Sequence, residues 1–175
     1  LVEEMGGTIT FESKKGVGTT FVIRVPFKID LDADKREESK DVSEKSIKGM
    51  HVLLAEDNEL NMEIAEFLLQ NEGAEVTKAW NGQEAVELFR NSEPGEFDVI
   101  LMDIMMPIIN GYEAAKRIRS LDREDAKKIP IIAMTANAFT EDRIRAKEAG
   151  MDEHVAKPID VELLIKVIHK LVKHN

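Results

Sequence analysis

The chain reads as an α/β protein, a parallel β-sheet with helices on both faces, preceded by a short β-hairpin. Three features lead to that expectation. The runs Val52-Leu53-Leu54-Ala55, Val99-Ile100-Leu101-Met102 and Ile131-Ile132-Ala133-Met134 carry no polar alternation, as strands buried on both faces require. Apolar residues at helical spacing fill the intervals between them. From Met50 onward, strand-like and helix-like patterns alternate strictly, which is the order of a sheet built from crossover units.

The first segment, residues 1–27, opens as a helix end and turns at Gly6-Gly7. Two strand-like runs follow, from Thr8 to Glu12 and from Thr19 to Val25, joined by the turn-forming Lys15-Gly16-Val17-Gly18. Phe21, Ile23 and Val25 share one face of the second run. Gly16 and Gly18 form a hairpin turn rather than a phosphate loop, because no helix follows them. Residues 28–49 carry seven acidic and six basic side chains among 22 positions and little to bury. Such a segment cannot offset its ordering entropy and is expected to be a flexible linker.

The domain proper is expected over residues 50–175, with five strand units and five helical ones. Shorter strands fit Glu75-Val76-Thr77 and His154-Val155-Ala156. Leu60, Ile64, Phe67 and Leu68 form the apolar stripe of the first helix, and Leu163, Leu164, Val167, Ile168 and Leu171 that of the last. Asn81 with Glu84 has capping-box spacing, Asp160 can cap the last helix, and Gly73 and Gly150 stand where helices end.

Composition narrows the function classes. A formal net charge of -10 argues against a nucleic-acid surface, which needs clustered Lys and Arg. The absence of Cys excludes disulfides, thiolate catalysis and Cys-ligated zinc, and permits a cytoplasmic setting. No apolar run approaches the roughly 20 residues that span a bilayer. The chain begins Leu1-Val2-Glu3-Glu4 without a signal-peptide pattern, and reads as cut from something longer, whose parent could be membrane-anchored.

In an open parallel sheet, ligands bind off the carboxyl ends of the strands. The residues placed there are Glu56-Asp57, Asp103, Thr135 and Lys157-Pro158. Two or three carboxylates in one crevice repel each other and favour a hard divalent cation. Magnesium takes oxygen ligands at about 2.1 Å and keeps several waters. A phosphoryl group could then bridge the metal and a nucleophilic carboxylate, with Lys157 neutralising one oxygen and the Thr135 hydroxyl donating to another. Met102, Met105 and Met106 are not read as metal ligands, since thioethers do not favour magnesium; Met102 is assigned to the core.

Glu56-Asp57, Leu101-Met102-Asp103 with Pro107, Met134-Thr135-Ala136 and Lys157-Pro158 resemble, in order and spacing, the receiver-domain signature of two-component signalling. The resemblance implies a flavodoxin-like, doubly wound five-stranded parallel sheet of order 2-1-3-4-5. It implies Asp103 as phosphoacceptor, Asp57 as a direct metal ligand, Glu56 assisting, and the main-chain carbonyl of Met105 completing the site for Mg2+ or Mn2+. Thr135 and Lys157 would hold the phosphoryl oxygens. His154 is either a satisfied strand-end residue or the family's rotating switch, and the switch is favoured. Glu56 stands where many members carry Asp, as in receivers attached to sensor kinases.

Met5-Gly6-Gly7-Thr8-Ile9, Gly16-Val17-Gly18-Thr19-Thr20-Phe21 and Pro26 resemble the last hairpin of a histidine-kinase ATP-binding domain. Together the two resemblances imply a hybrid sensor kinase as parent. Partners would be a phosphohistidine domain and a histidine phosphotransfer protein, with homodimerisation possible through the hairpin or the fourth helix face. The fragment itself lacks the ATP site, and none of His51, His154, His169 or His174 precedes an acidic residue as a phosphodonor His does. Three rival readings are weaker. A magnesium phosphatase with an Asp nucleophile needs Asp-x-Asp after its first strand, where Asp57-Asn58-Glu59 stands. A flavin phosphate would be repelled by Glu56-Asp57-Asn58-Glu59. A docking relic would not keep the acidic set. Near Asp103, Met105 and Asn137 are expected to shield the acyl phosphate without activating water, giving slow hydrolysis. The readout is expected as Thr135 drawn to the phosphoryl group, His154 turning inward and the face from Phe139 to Ala149 reshaped.

Overall fold

The computed structural model describes residue 2 and residues 6–26, 46–135 and 140–172, without the side chains of 140–142. Residues 27–45 of the expected hairpin end and linker, with Asn137, Phe139 and His174, lie outside the described residues. The chain divides into two compact units, Leu1–Asp41 and Val42–Asn175.

In the first unit, β1 (Thr8–Lys14) and β2 (Gly18–Arg24) pair antiparallel. Gly16 turns the chain at a φ of 80°, a conformation that only glycine adopts without crowding, and the Val17 N–H donates to the Lys14 carbonyl at 3.0 Å. Ile9 faces Ile23 and Phe11 faces Phe21 across the strands, with ring centroids 5.8 Å apart. Val25 falls just beyond the strand.

The second unit runs β3 (His51–Ala55), α1 (Glu59–Asn71), β4 (Glu75–Ala79), α2 (Gly82–Asn91), β5 (Val99–Asp103), α3 (Gly111–Arg119) and α4 (Glu124–Lys128). It continues with β6 (Ile131–Thr135), α5 (Thr140–Glu148), β7 (Glu153–Ala156) and α6 (Val161–Val172). The sheet is parallel throughout, in the order β4-β3-β5-β6-β7, which is the expected 2-1-3-4-5 arrangement.

The unalternated runs behave as two interleaved faces. Leu53, Ala55, Ile100 and Met102 pack with Val86 and Phe89 of α2 and Ala114 and Ile118 of α3. Val52, Leu54, Val99, Leu101, Ile132 and Met134 pack with Met62, Ala65 and Leu69 of α1 and with Leu164 and Ile168 of α6. A strand apolar at every position is thus required because each face has its own helical layer.

The caps follow the sequence reading. Asn81 Oδ1 accepts from the Glu84 N–H at 2.9 Å and Asp160 Oδ1 from Leu163 N–H at 3.1 Å, while Gly73 and Gly150 take φ of 85° and 86° just past α1 and α5.

Four expectations need correction. The buried stripe of α1 is Met62, Ala65 and Leu69; Leu60, Ile64 and Phe67 lie on the opposite side and are 64%, 48% and 69% exposed. Leu68 of the expected stripe is half-buried, and apolar spacing is compatible with either stripe. The Asn58 cap fixes where the helix starts, and packing against Val52 and Leu54 of the sheet selects the stripe that is buried. In α6 the buried residues are Leu164, Ile165 and Ile168, and Leu163 is exposed. Ile47, assigned to the linker, is wholly buried beside Val52 and Leu54, with the Met50 N–H donating to its carbonyl at 3.0 Å. Finally, α4 adds a helix that no periodicity revealed, because five charged-rich residues are too short to show one.

Arg123 ties that insertion down. Its guanidinium donates to the carbonyls of Phe89 (2.6 Å) and Ser92 (3.0 Å) at the end of α2, pairs bidentately with Asp125, and lies 4.7 Å from the Phe89 ring centroid.

Candidate functional site

Parallel strands β3, β5, β6 and β7 all end on one side of the sheet; β3 delivers two polar groups there and each of the others one. Glu56 and Asp57 follow β3, Asp103 and Thr135 are the last residues of β5 and β6, and Lys157 follows β7. The structure brings all five together from positions up to 101 residues apart.

Glu56, Asp103 and Thr135 are the buried polar residues of the described core, at 1%, 5% and 8% exposure, while Asp57 is exposed. Each of Glu56, Asp57 and Asp103 offers a carboxylate oxygen within 4.8 Å of the others. The Lys157 ammonium lies 2.9 Å from Asp103 Oδ2 and also bonds Glu56 Oε2. It occupies the place where positive charge is needed. Asp103 Oδ1 accepts from the Met105 N–H at 3.3 Å. The Lys157 N–H donates to the Thr135 carbonyl at 2.8 Å, so the end of β7 is pinned to the end of β6.

The electrostatics reflect crowding. Burial pushes the Asp103 carboxyl up, against the pull of its bond to Lys157, and the Glu56 charge raises it further. Burial would lower the Lys157 amine, but its bonds to Glu56 and Asp103 together carry it above its ordinary value. A lysine held by two carboxylates stays protonated.

Sequence reasoning missed the residues that hold Glu56. The Asn61 side-chain amide donates to Glu56 Oε1 at 3.0 Å, and the Asn58 N–H reaches the same oxygen at 3.4 Å. The signal was an amide one helical turn past a helix cap, five residues after Glu56. Nor did the sequence mark Ile108, a β-branched residue at a φ of 70° in the loop between β5 and α3. Met105 in that loop is 78% exposed, whereas Met102 and Met106 are buried, so the assignment of Met102 to the core holds.

His154 lies behind Thr135. Its Nδ1 is 3.3 Å from Glu153 Oε1, and it shares a narrow cavity with Ile104, Tyr112, Ala133 and Thr135.

Residues 52–169 match the response regulator receiver domain. The chain belongs to this family. A receiver is the phosphoacceptor module of two-component signalling, and this receiver resembles those of hybrid histidine kinases. It is 34% identical over 171 residues to the aerobic respiration control sensor protein ArcB of Escherichia coli, a match that covers 97% of this chain and 21% of ArcB. The chain therefore spans about a fifth of that relative's length. Among solved structures, the receiver domain of a sensor histidine kinase from Pseudomonas aeruginosa, with magnesium coordinated in its active-site cleft, is 35% identical with a TM-score of 0.64. That match covers 71% of this chain and 98% of the other. The receiver of Saccharomyces cerevisiae Ssk1, crystallised with the histidine phosphotransfer protein Ypd1, is 30% identical with a TM-score of 0.64, over 72% of this chain and 90% of that one. Among the described residues of this receiver, no helix is long and apolar enough to cross a membrane.

Proposed function

We propose that Asp103 is the phosphoacceptor of a phosphorelay and takes its phosphoryl group from a phosphohistidine. The observation that carries this reading is a buried Asp103 carboxylate at the end of the central strand, clustered with Glu56 and Asp57 and bonded to Lys157. One carboxylate oxygen attacks phosphorus. A P–O bond forms as the P–N bond breaks, and the electron pair of that bond returns to the imidazole nitrogen. Asp103 gives up no proton, because the carboxylate is the reacting form.

Glu56, Asp57, Asp103 and the main-chain carbonyl of Met105 would hold a Mg2+ or Mn2+ ion, and three hard carboxylates within 4.8 Å of one another suit such a cation. The ion when bound neutralises charge on the phosphoryl oxygens. Lys157 takes over one phosphoryl oxygen and the Thr135 hydroxyl donates to another. Thr135 moving toward that oxygen vacates space on the His154 side, and His154 turns inward as the switch.

The parent is a hybrid sensor histidine kinase working in the cytoplasm. Residues 1–27 are the last hairpin of its ATP-binding domain, residues 28–46 its linker, and the receiver takes in Ile47, which packs in its core, and residues 50–175. ArcB, matched along 97% of this chain, supports that layout. The partners are a phosphohistidine domain and a histidine phosphotransfer protein. The Leu60, Ile64 and Phe67 stripe supports them, because it lies exposed on the helix that starts just after the acidic pair and offers an apolar helical partner a seat.

Incubation with acetyl phosphate and Mg2+, followed by intact mass, tests the reading. The wild type gains one phosphoryl group, and Asp103→Asn or chelation abolishes the gain. Circular dichroism checks that the Asp103→Asn variant folds. Phosphorylation persisting in Asp103→Asn refutes the assignment.

A further inference from the structure

We infer that Asn61 is a positioning residue of the acidic site: its side-chain amide orients Glu56 and thereby sets the affinity of the cluster for a divalent cation. The inference rests on the phosphoacceptor reading and extends it to a residue outside the acidic set.

Glu56 is 1% exposed, so its carboxylate has almost no water to satisfy it. Lys157 takes Oε2. Oε1 is left to the chain's own donors, and the shorter of its two bonds, 3.0 Å, comes from Asn61 Nδ2. The other, from the Asn58 N–H, is long at 3.4 Å. The amide also starts from a fixed place. The Asn61 N–H is itself held by the Asn58 cap at 3.1 Å, so the first turn of α1 projects the side chain back toward the strand end.

Two physical considerations say why the donor is an amide. Glutamate carries one more rotatable bond than aspartate, and its carboxylate plane turns freely unless both oxygens are held. A neutral donor fixes that plane without cancelling the charge, which a second lysine would do. Glu56 is therefore held in one orientation beside Asp57 and Asp103, whose oxygens lie within 4.8 Å. Asn61 is otherwise an exposed helical residue of poor helix propensity, so local structure does not account for its amide.

The test is a double-mutant cycle on the full 175-residue chain, read by calorimetric titration with MgCl2. Asn61→Ala should weaken Mg2+ binding about tenfold, the size usual for loss of an outer-shell partner. In a Glu56→Asp background the carboxylate is shorter by one C–C bond, about 1.5 Å, and no longer reaches Asn61. There the same substitution should change affinity less than about twofold. Asn61→Leu, similar in size and without a donor, should repeat both results, and circular dichroism checks that each variant folds. With acetyl phosphate, the Mg2+ concentration for half-maximal phosphorylation should rise about tenfold in Asn61→Ala, while the rate at saturating Mg2+ stays within about twofold. Equal weakening in both backgrounds, or none in either, overturns the inference. A wild-type chain that binds Mg2+ but accepts no phosphoryl group overturns the functional reading instead, and the calorimetric cycle then decides the role of Asn61 alone. A wild-type chain that binds no Mg2+ overturns both.

Discussion

Gly111→Ala should damage both the fold and the phosphoacceptor site. Gly111 opens α3, and its N–H donates to the Ile104 carbonyl at 3.0 Å. A β-carbon there would lie 2.2 Å from the carbonyl oxygen of Asp103 and 3.0 Å from Met102 Cγ. Carbon and carbonyl oxygen ordinarily approach to about 3.3 Å, so the backbones must part by roughly 1 Å. Neither side yields easily: β5 is buried along its whole length and α3 packs Ala114 and Ile118 into the core. Overpacking between two backbones belongs at the upper end of its usual cost, about 3 kcal/mol. The stiffer unfolded chain returns about 0.4–1 kcal/mol. The net loss is about 2 kcal/mol, a large share of the roughly 5–15 kcal/mol that holds such a unit folded. Urea unfolding followed by Trp80 fluorescence measures it. A shift of about 1 Å at Asp103 should also slow acetyl-phosphate phosphorylation by up to roughly a hundredfold. A loss below about 0.5 kcal/mol refutes the steric reasoning. A full loss of stability with an unchanged phosphorylation rate refutes the expectation that the clash shifts Asp103.

Ile108 carries a β-branched side chain at a φ of 70° and is 76% exposed, so its strain is not offset by burial. Ile108→Asn should stabilise the fold by about 1 kcal/mol in urea unfolding, and no gain would mean the loop relaxes that strain. Arg123 holds the Asp125 carboxyl at about 2, below its ordinary value. A lowered folded value means stability present above the unfolded pKa near 3.8 and lost as pH falls through about 2. Allowing for solvent at a pair 14% and 22% exposed, that loss is about 1 kcal/mol. Asp125→Asn should remove this part of the acid slope, and an unchanged slope between about pH 4 and pH 2 would show that the pair contributes nothing. Met105, which is 78% exposed beside Asp103, offers no group to activate water. Met105→Asn together with Asn137→Glu should shorten the acyl-phosphate lifetime, and a decay no faster than wild type would contradict the water-access argument.

The sequence by itself determined the class of fold and which polar residues gather at the strand ends. Unalternated runs such as Val99-Ile100-Leu101-Met102 can be satisfied only between two helical layers, and strand ends of a parallel sheet share one side. Glu56, Asp57, Asp103, Thr135 and Lys157 are therefore legible as a group in the sequence alone. What the tertiary structure decided lies where local pattern is degenerate. Helix α1 carries two apolar stripes, and only its docking on the sheet selects Met62, Ala65 and Leu69 for burial over Leu60, Ile64 and Phe67. Ile47 looked like one apolar residue in a charged segment, and the core next to Val52 and Leu54 claimed it. The Asn61 bond to Glu56, the Lys157 bridge to Asp103 and the Arg123 clamp on α2 each depend on distances set by packing. A sequence records which groups are available to donate and accept. Which donor meets which acceptor is fixed when the helices settle on the sheet, because a hydrogen bond demands ångström-scale placement that periodicity does not encode.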